Sequence, residues 1–190
     1  MSVWNQCHDN CIKNNDISNS DISNNDISNN VNIIANLQDN WTLYIHYPND
    51  TNWDIDSYKK IDKVANLQQA IMLFNMIPQD LYMKCMFFFM REDVKPLWEE
   101  DVNKNGGAFS YKVDAKDTPN VWKYVCYQAI GETLVNNADV AYVNGVSLSP
   151  KKNFSIIKIW TKTCKYDSPD IVNYHSVFRN NGCIFKKHID

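Results

Sequence analysis

Two tryptophans in polar turns are the residues of this chain best suited to bind a flat ligand. Trp53 follows a segment rich in Pro, Asn and Asp, and Trp98 is followed directly by Glu99. A loop indole either packs as an anchor or stacks on a ligand, and for one tryptophan alone packing is the commoner role. An indole beside a carboxylate, however, offers a face to an aromatic base and an acceptor for two hydrogens on the Watson–Crick edge of guanine. The Trp98-Glu99 pair therefore favours guanine recognition.

A cluster of lysines lies close to a further tryptophan. Residues 149–166 contain five lysines and no acid, with Lys151 and Lys152 at the tip of a predicted hairpin, and Lys158 and Trp160 on its second strand. Such a run supplies a local positive field suited to phosphate groups. The alternative is a solvated edge strand, because lysines also deter strand pairing, and for the last two lysines of the run both interpretations have equal weight.

Catalytic chemistry has weaker support in this sequence. The three consecutive acids from Glu99 to Asp101 could act as acids, bases or metal ligands, but no motif places a nucleophile beside a base. Cys7, His8 and Cys11 lie in a polar segment without the second ligand pair that a zinc site requires. We therefore predict that the protein is not an enzyme and that it holds no metal and no cofactor.

The composition divides the chain into a polar tail and one folded domain. The 190 residues carry a formal charge of −3, and the first 36 contribute four Asp against a single Lys, so the remainder is neutral. Residues 13–32 repeat Asp-Ile-Ser with a five-residue period that fits neither a helix nor a strand. We predict a disordered tail over residues 1–36 and a folded domain over residues 37–190. The sequence has neither a stretch of about 18 apolar residues nor a secretion signal, which predicts a cytoplasmic protein with no membrane partner.

Local patterns predict an α+β fold with one antiparallel sheet and helices on a single face. Alternating apolar residues over 41–47 predict the first strand. Asn66 and Thr118 are predicted caps of two amphipathic helices, and Ser168 is predicted to begin a third. The apolar face of this third helix comprises Ile171, Tyr174 and Phe178. Further strands are predicted over residues 82–90, 107–113, 146–149 and 155–163, and after Asn181-Gly182.

Several short motifs, each unremarkable alone, form a specific set through their order and spacing. They are Leu37-Gln38-Asp39-Asn40-Trp41, Trp53, Pro96-Leu97-Trp98-Glu99-Glu100-Asp101, Asn103-Lys104-Asn105-Gly106-Gly107, Ile130-Gly131-Glu132 and Ile159-Trp160-Thr161. This set resembles the eukaryotic translation initiation factor 4E family over roughly residues 37–189. The resemblance implies a single curved antiparallel sheet with about three helices on its convex face. It also implies a site for the 7-methylguanosine cap of messenger RNA on the concave face.

The resemblance assigns roles to the residues singled out above. It implies that Trp53 and Trp98 sandwich the methylated base, that Glu99 reads the edge of that base, and that Trp160 contacts the N7-methyl group. Lys151 falls at a phosphate-contacting position of the family.

Other phosphate-contacting positions of the family are altered here. They are occupied by Ala108, Asn153 and Ile156. Lys158 lies one pleat along the strand from Ile156, and we hypothesise that it replaces the lost charge, with Lys152 as a further candidate. The chain also ends soon after its last predicted strand, so the C-terminal loop of the family is expected to be missing.

The family also binds partners on its helical face, where it docks a helix of the scaffold factor 4G or of repressors carrying a Tyr-x-x-x-x-Leu motif. By the resemblance the tryptophan anchor of that surface is Ile71 here, on the helix that starts at Leu67. The second helix presents Lys123, Tyr124 and Tyr127 where the family has apolar or acidic residues. Loss of a buried aromatic anchor costs about 2 kcal/mol or more unless a new anchor replaces it. The sequence therefore leaves open whether the usual scaffold binds.

Three functions follow from these observations. The first is binding of the mRNA cap in translation initiation, with delivery of capped mRNA to a scaffold partner. The second is a regulator that sequesters or protects capped mRNA without binding the usual scaffold. The third, an enzyme acting on a nucleotide or on the cap, is disfavoured by the missing nucleophile. The Asn-rich composition is consistent with a viral or protist source.

Overall fold

The computed structural model describes residues 34–136, 142–173 and 182–189. Its strands are β1 (Asn36–His46), β2 (Lys59–Asn66), β3 (Met86–Arg91), β4 (Gly107–Asp114), β5 (Val143–Pro150), β6 (Phe154–Thr161) and β7 (Ile184–Lys187). They form one sheet in the order β2-β1-β3-β5-β6-β4-β7, and every neighbouring pair is antiparallel. A single curved antiparallel sheet confirms the predicted α+β class.

Three α-helices occur in the described ranges: α1 (Leu67–Met76), the single-turn α2 (Asp101–Lys104) and α3 (Thr118–Ile130). Short 3-10 helices cover Ile55–Ser57, Gln79–Met83 and Pro169–Ile171. The long helix α3 packs against β1, β4, β5 and β6, and α1 packs against β2. The two long helices, α1 and α3, therefore back the convex face of the sheet and leave the concave face open to a ligand.

A side-chain capping bond marks the start of α1 but not that of α3. The side-chain oxygen of Asn66 accepts a hydrogen bond from the backbone N–H of Gln69 at 2.9 Å, as predicted for a helix cap. The cap of α3 is Asp117 and not Thr118, so that prediction is wrong by one residue. Thr118 already lies in the first turn, and its hydroxyl donates back to the carbonyl oxygen of Asp114 at 3.1 Å.

The strand predicted over residues 82–90 begins only at Met86. The residues before it form the 3-10 helix Gln79–Met83, whose Tyr82 is fully buried. A short apolar run is compatible with either conformation, so the pattern alone does not separate them. The edge strand β2 is not indicated by the sequence pattern, because it presents mostly polar residues and buries only Val64.

The helix predicted to begin at Ser168 is a single 3-10 turn in the described residues, because Val172 is already extended and pairs with Val135. The Ser168 hydroxyl accepts a hydrogen bond from the backbone N–H of Asp170 and caps the 3-10 helix Pro169–Ile171. Tyr174 and Phe178, which belong to the same prediction, lie outside the described residues.

Strand alternation sends one set of large apolar side chains towards the helices. Those buried on this side of the four central strands are Trp41, Leu43, Ile45, Phe87, Phe89, Val146, Leu148, Ile157 and Ile159. The facing stripe of α3 is equally buried and comprises Val121, Trp122, Val125, Ala129 and Ile130. The packing of α3 on these strands therefore supports the sheet from its convex side.

A buried arginine ties β1, β3, β5 and the end of α3 together. The Arg91 guanidinium forms a bidentate pair with Glu132 at 2.7 and 2.9 Å, a second pair with Asp39, and a hydrogen bond to the carbonyl oxygen of Val143 at 3.0 Å. It also lies over the ring of Trp41, 4.9 Å from the centroid. Burial by itself would lower the pKa of Arg91, but Glu132 and then Asp39 outweigh it and raise that pKa overall.

Candidate ligand-binding site

A cavity of about 430 Å³ opens on the face of the sheet that the helices do not cover. Of the residues that the sequence analysis selected, six line it: Trp53, Trp98, Glu99, Lys151, Lys158 and Trp160. The volume is within the range of about 300 to 1,000 Å³ that small-ligand sites occupy. Lys152 is exposed on the hairpin turn and does not belong to this lining.

The floor of the cavity is an aromatic and aliphatic cluster on the concave side of the sheet. Tyr58, Phe88 and Trp160 line the cavity, Met90 lies in the same cluster beneath them, and Leu97 from the Trp98 loop packs against it. Register places these side chains on the face opposite the helix-facing core, because β3 and β6 alternate. The floor is therefore preformed by the sheet.

Trp53 is supported from behind by a histidine at the end of β1. Its indole is 52% exposed and stacks on the His46 ring with centroids 4.2 Å apart and planes only 4° apart. The Nε2 atom of His46 lies 2.8 Å from the carbonyl oxygen of Asn52, the residue before Trp53. Both contacts hold the loop with one indole face towards the cavity.

The loop that carries Trp98 is held by a fully buried asparagine. The Asn103 side-chain amide donates to the carbonyl oxygens of Lys95 and Leu97 at 2.9 and 2.7 Å. Asn144 of β5 in turn donates to the side-chain oxygen of Asn103 at 2.9 Å. The backbone that precedes Trp98 is thus anchored through Asn103 to the sheet, while the indole itself remains 48% exposed.

Trp160 forms a fixed wall between the two loops. Only 6% exposed, it donates from Nε1 to the Ser147 hydroxyl at 2.9 Å. The His188 ring packs against it with centroids 4.9 Å apart, and Nδ1 of His188 lies 2.8 Å from the Asn103 carbonyl oxygen. Burial and then the charge of Lys158 lower the pKa of His188, against the opposing effect of the Asn103 carbonyl. The ring beside Trp160 therefore favours its neutral form.

Glu99 supplies a carboxylate at the rim. Tyr58 also lines the cavity, and burial and then the negative charge of Glu99 raise its pKa to about 12. Within the described ranges no ion pair involves Glu99. Its oxygens are therefore available to accept hydrogen bonds from a ligand.

Lys186, a lysine that the sequence analysis did not select, acts on the positively charged end of the cavity from outside its lining. Burial lowers the pKa of Lys158, and the neighbouring charges of Lys186 and Lys151 lower it further. Lys186 lies on β7 directly opposite Ala108, the position at which the family resemblance implies a lost basic residue. Ion pairs of the described residues include none of these three lysines. The alternating pattern Ile184, Lys186, His188 was the available signal for this residue, but only the pairing of β7 with β4 places it here.

The residues assigned to a partner surface lie on α1 and α3. Leu67 and Ile71 are exposed, the latter by 42%, and Met72 beside them is also exposed. The two helices meet where Lys123 donates to the side-chain oxygen of Asn75 at 3.2 Å. Tyr127 packs edge-on against Phe74 with ring centroids 5.6 Å apart, which leaves it half-buried, as Tyr124 is.

Two further predictions concern metals and membranes. Cys7, His8 and Cys11 lie outside the described residues, and within those residues no group of three or more His, Cys, Asp or Glu side chains could hold a metal ion. The helices of the described part are each too short or too polar to cross a membrane.

These features define a single-sheet α+β protein with an aromatic cavity on its concave face. The family model for eukaryotic initiation factor 4E matches residues 36–178. The chain belongs to this family, which confirms the resemblance found in the sequence.

Relatives and solved structures agree with this assignment. Translation initiation factor 4E of Dictyostelium discoideum is 28% identical over 136 residues, covering 68% of this chain and 53% of the relative. A 4E homologue of Acanthamoeba polyphaga mimivirus is 36% identical over 64 residues, 33% of this chain and 24% of the relative. This chain thus spans about half the length of the Dictyostelium relative.

Two solved structures share the fold. Ascaris suum eIF4E-3 in complex with the m7G cap has a TM-score of 0.64 and 20% identity, covering 71% of this chain and 77% of that chain. Caenorhabditis elegans eIF4E-3 in complex with the 4E-binding protein Mextli and a cap analogue also has a TM-score of 0.64 and 20% identity, covering 73% and 79%. At this identity the likeness establishes the fold.

Proposed function

We propose that this protein binds the 7-methylguanosine cap of mRNA in the concave cavity and acts in translation initiation. The observation that carries the proposal is the convergence of Trp53, Trp98 and Glu99, from separate loops, on one cavity with Trp160 in its wall. Family membership and the cap complexes of two structural neighbours support the same ligand.

The chemistry of the cavity accounts for recognition of a methylated base. Methylation at N7 gives guanine a positive charge, and a cation over an indole face gains about 0.5 to 2 kcal/mol, depending on how far water is excluded. Stacking on each aromatic face adds about 1 to 3 kcal/mol. The Glu99 carboxylate accepts hydrogens from the base edge and is attracted to the same positive charge. Unmethylated guanine retains the stack but loses the two charge terms.

Three lysines of this chain are proposed to bind the phosphate groups of the cap. Lys151 and Lys158 line the cavity, and Lys186 adds its charge from β7 at the position opposite Ala108. Burial is the main cause of the lowered pKa of Lys158, and the positive charges of Lys186 and Lys151 lower it further. An anion bound among them would relieve the repulsion between these charges. Lys152, outside the lining, is the weaker candidate.

The direct test is a fluorescence titration of the full chain with 7-methyl-GTP and with GTP under identical salt. The proposal predicts saturable binding of 7-methyl-GTP and about tenfold weaker binding of GTP, which corresponds to about 1.4 kcal/mol from the two charge interactions together. Equal affinity for both nucleotides, or no binding of the methylated one, would refute cap recognition. Release of a methylated nucleotide from capped RNA by the pure protein would instead favour the enzyme alternative.

We further propose that the protein delivers capped mRNA to a helical scaffold partner docked on α1 and α3. Caenorhabditis elegans eIF4E-3, a structural neighbour, is found in complex with the 4E-binding protein Mextli, which supports a protein partner for this chain. The exposed Ile71 supports the alternative, a regulator that does not bind the usual scaffold, because an aliphatic side chain cannot replace an aromatic anchor in full.

A pull-down separates these two roles. The full chain, loaded with 7-methyl-GTP, is mixed with an immobilised helix peptide carrying Tyr-x-x-x-x-Leu, and the same peptide with its Tyr and Leu replaced by Ala serves as control. Capture by the first peptide alone supports scaffold delivery. Capture by neither peptide supports the regulator.

A further inference from the structure

We propose that His46 is the positioning residue of Trp53: its buried imidazole forms an inner layer of stacked rings that fixes the indole plane before any ligand arrives. This inference rests on the proposed function only for its affinity measurement. The stacking of His46 on Trp53 is a property of the protein without ligand.

The stacking geometry leaves one indole face covered and the other available. The two rings are 4.2 Å apart at their centroids and 4° from parallel. His46 is 2% exposed, whereas Trp53 is 52% exposed and lines the cavity. The order from the interior outwards is therefore imidazole, indole and then the space for a flat ligand.

The imidazole is itself held in place by rigid neighbours. His46 is the last residue of β1 and pairs with Met86 of β3. The Nε2 atom of His46 donates to the Asn52 carbonyl oxygen at 2.8 Å. Tyr58 packs edge-on against both rings, with centroids 5.1 Å from His46 and 6.4 Å from Trp53. The plane of the indole is thus set by the sheet through one side chain.

The loop that holds Trp53 has local turns but no buried amide of its own. Asn52 donates from its backbone to the Asp50 carboxylate at 3.0 Å, and its side-chain oxygen accepts from the Asp54 backbone at 2.9 Å, and both bonds are exposed. The Trp98 loop, in contrast, is anchored by the fully buried Asn103. His46 therefore has the supporting function for Trp53 that Asn103 has for Trp98. Prior orientation raises affinity because the indole need not be ordered on binding.

The competing explanation is that His46 only fills space beneath the loop. Leucine has a similar size but neither a flat face nor a donor, whereas phenylalanine keeps the flat face. The test therefore compares His46→Phe with His46→Leu in the full chain. Thr42→Val, an isosteric change on the same face of β1 at a residue that does not line the cavity, is the matched control. Thermal unfolding of all four proteins verifies that each is folded.

The affinity measurement uses 7-methyl-GTP. We expect His46→Phe to bind within about threefold of the parent, and His46→Leu to bind at least about tenfold more weakly, a difference of about 1.4 kcal/mol. Thr42→Val should match the parent. Equal affinities of the Phe and Leu variants, whether both strong or both weak, would overturn the inference, because the flat ring would then make no difference to binding.

A measurement without ligand keeps the inference separate from the proposed function. The near-ultraviolet circular dichroism of Trp53 is obtained by subtracting the spectrum of each protein carrying Trp53→Phe. We expect this difference signal to persist in His46→Phe and to be lost in His46→Leu. An unchanged signal in His46→Leu would overturn the positioning role, even if the parent did not bind 7-methyl-GTP. If the parent fails to bind and the signal behaves as expected, only the proposed function falls.

Discussion

Removing the Trp98 indole should reduce affinity for the methylated cap more than for plain guanine nucleotide. Because Trp98 is 48% exposed, the cation–π interaction on its face is worth about 1 kcal/mol, between the values for exposed and for desolvated sites. Stacking of the base adds about 1 to 3 kcal/mol. The Trp98→Ala variant should therefore lose about 2 to 4 kcal/mol for 7-methyl-GTP, or about 30- to 900-fold. For GTP it should lose about 1 to 3 kcal/mol, or about 5- to 160-fold. The ratio of the two affinities should fall about fivefold.

The assay is a tryptophan fluorescence titration of parent, Trp98→Ala and Trp98→Phe with both nucleotides. The Phe variant keeps an aromatic face and should lose less than the Ala variant. Because the indole is half exposed and its loop is held by Asn103, the free energy of unfolding should change by less than about 0.5 kcal/mol in either variant. Affinity of Trp98→Ala within about twofold of the parent would refute the sandwich. Equal losses of affinity for both nucleotides would show that the Trp98 indole does not provide the cation–π interaction with the methylated base.

Three further predictions follow from charged and titratable groups. Lys186→Ser should reduce the slope of log affinity against log salt for a capped oligonucleotide by about 0.7 to 1, while Lys152→Ser should leave it nearly unchanged; equal slopes in parent and Lys186→Ser would remove Lys186 from the site. Arg91→Met should lower the free energy of unfolding in urea by about 3 kcal/mol, because Glu132 would lose its buried partner, and a loss under about 1 kcal/mol would show that the pair contributes little. The pKa of His188 is lowered in the folded state, so below the ordinary value of 6.5 the unfolded chain takes up the proton first and stability falls as the pH decreases. His188→Gln should therefore show a flatter loss of stability between pH 7.5 and 5, by at most about 1.4 kcal/mol per pH unit, and an identical pH profile would contradict the shift.

Local patterns predicted the elements whose signals lie within a few residues. Asn66 caps α1 through the neighbouring Gln69, and the apolar stripe of α3 is buried as its spacing indicates. Elements with ambiguous patterns were predicted less well. The polar edge strand β2 has almost no apolar alternation, and the apolar run around Tyr82 is compatible with either a strand or a turn of helix.

The order and spacing of motifs were sufficient to select Trp53, Trp98, Glu99 and Trp160, because those residues belong to short segments that can be read one at a time. Residues that act through distant strands could not be selected in this way. Lys186 lies opposite Ala108 and acts on Lys158 only because β7 pairs with β4, and His188 reaches Asn103 across 85 positions of the chain. His46 is only seven positions from Trp53, yet its role depends on the loop folding back over the end of β1.

The amino-acid sequence alone therefore determined the family, the fold class and the side chains that can stack on or read a base. The tertiary structure decided which strand neighbours which, and hence which lysine stands opposite Ala108 and which ring lies behind Trp53. The physical reason is that strand order is set by burial summed over the whole sheet. No short segment of the sequence determines this total burial, so the neighbours of each strand are known only from the folded chain.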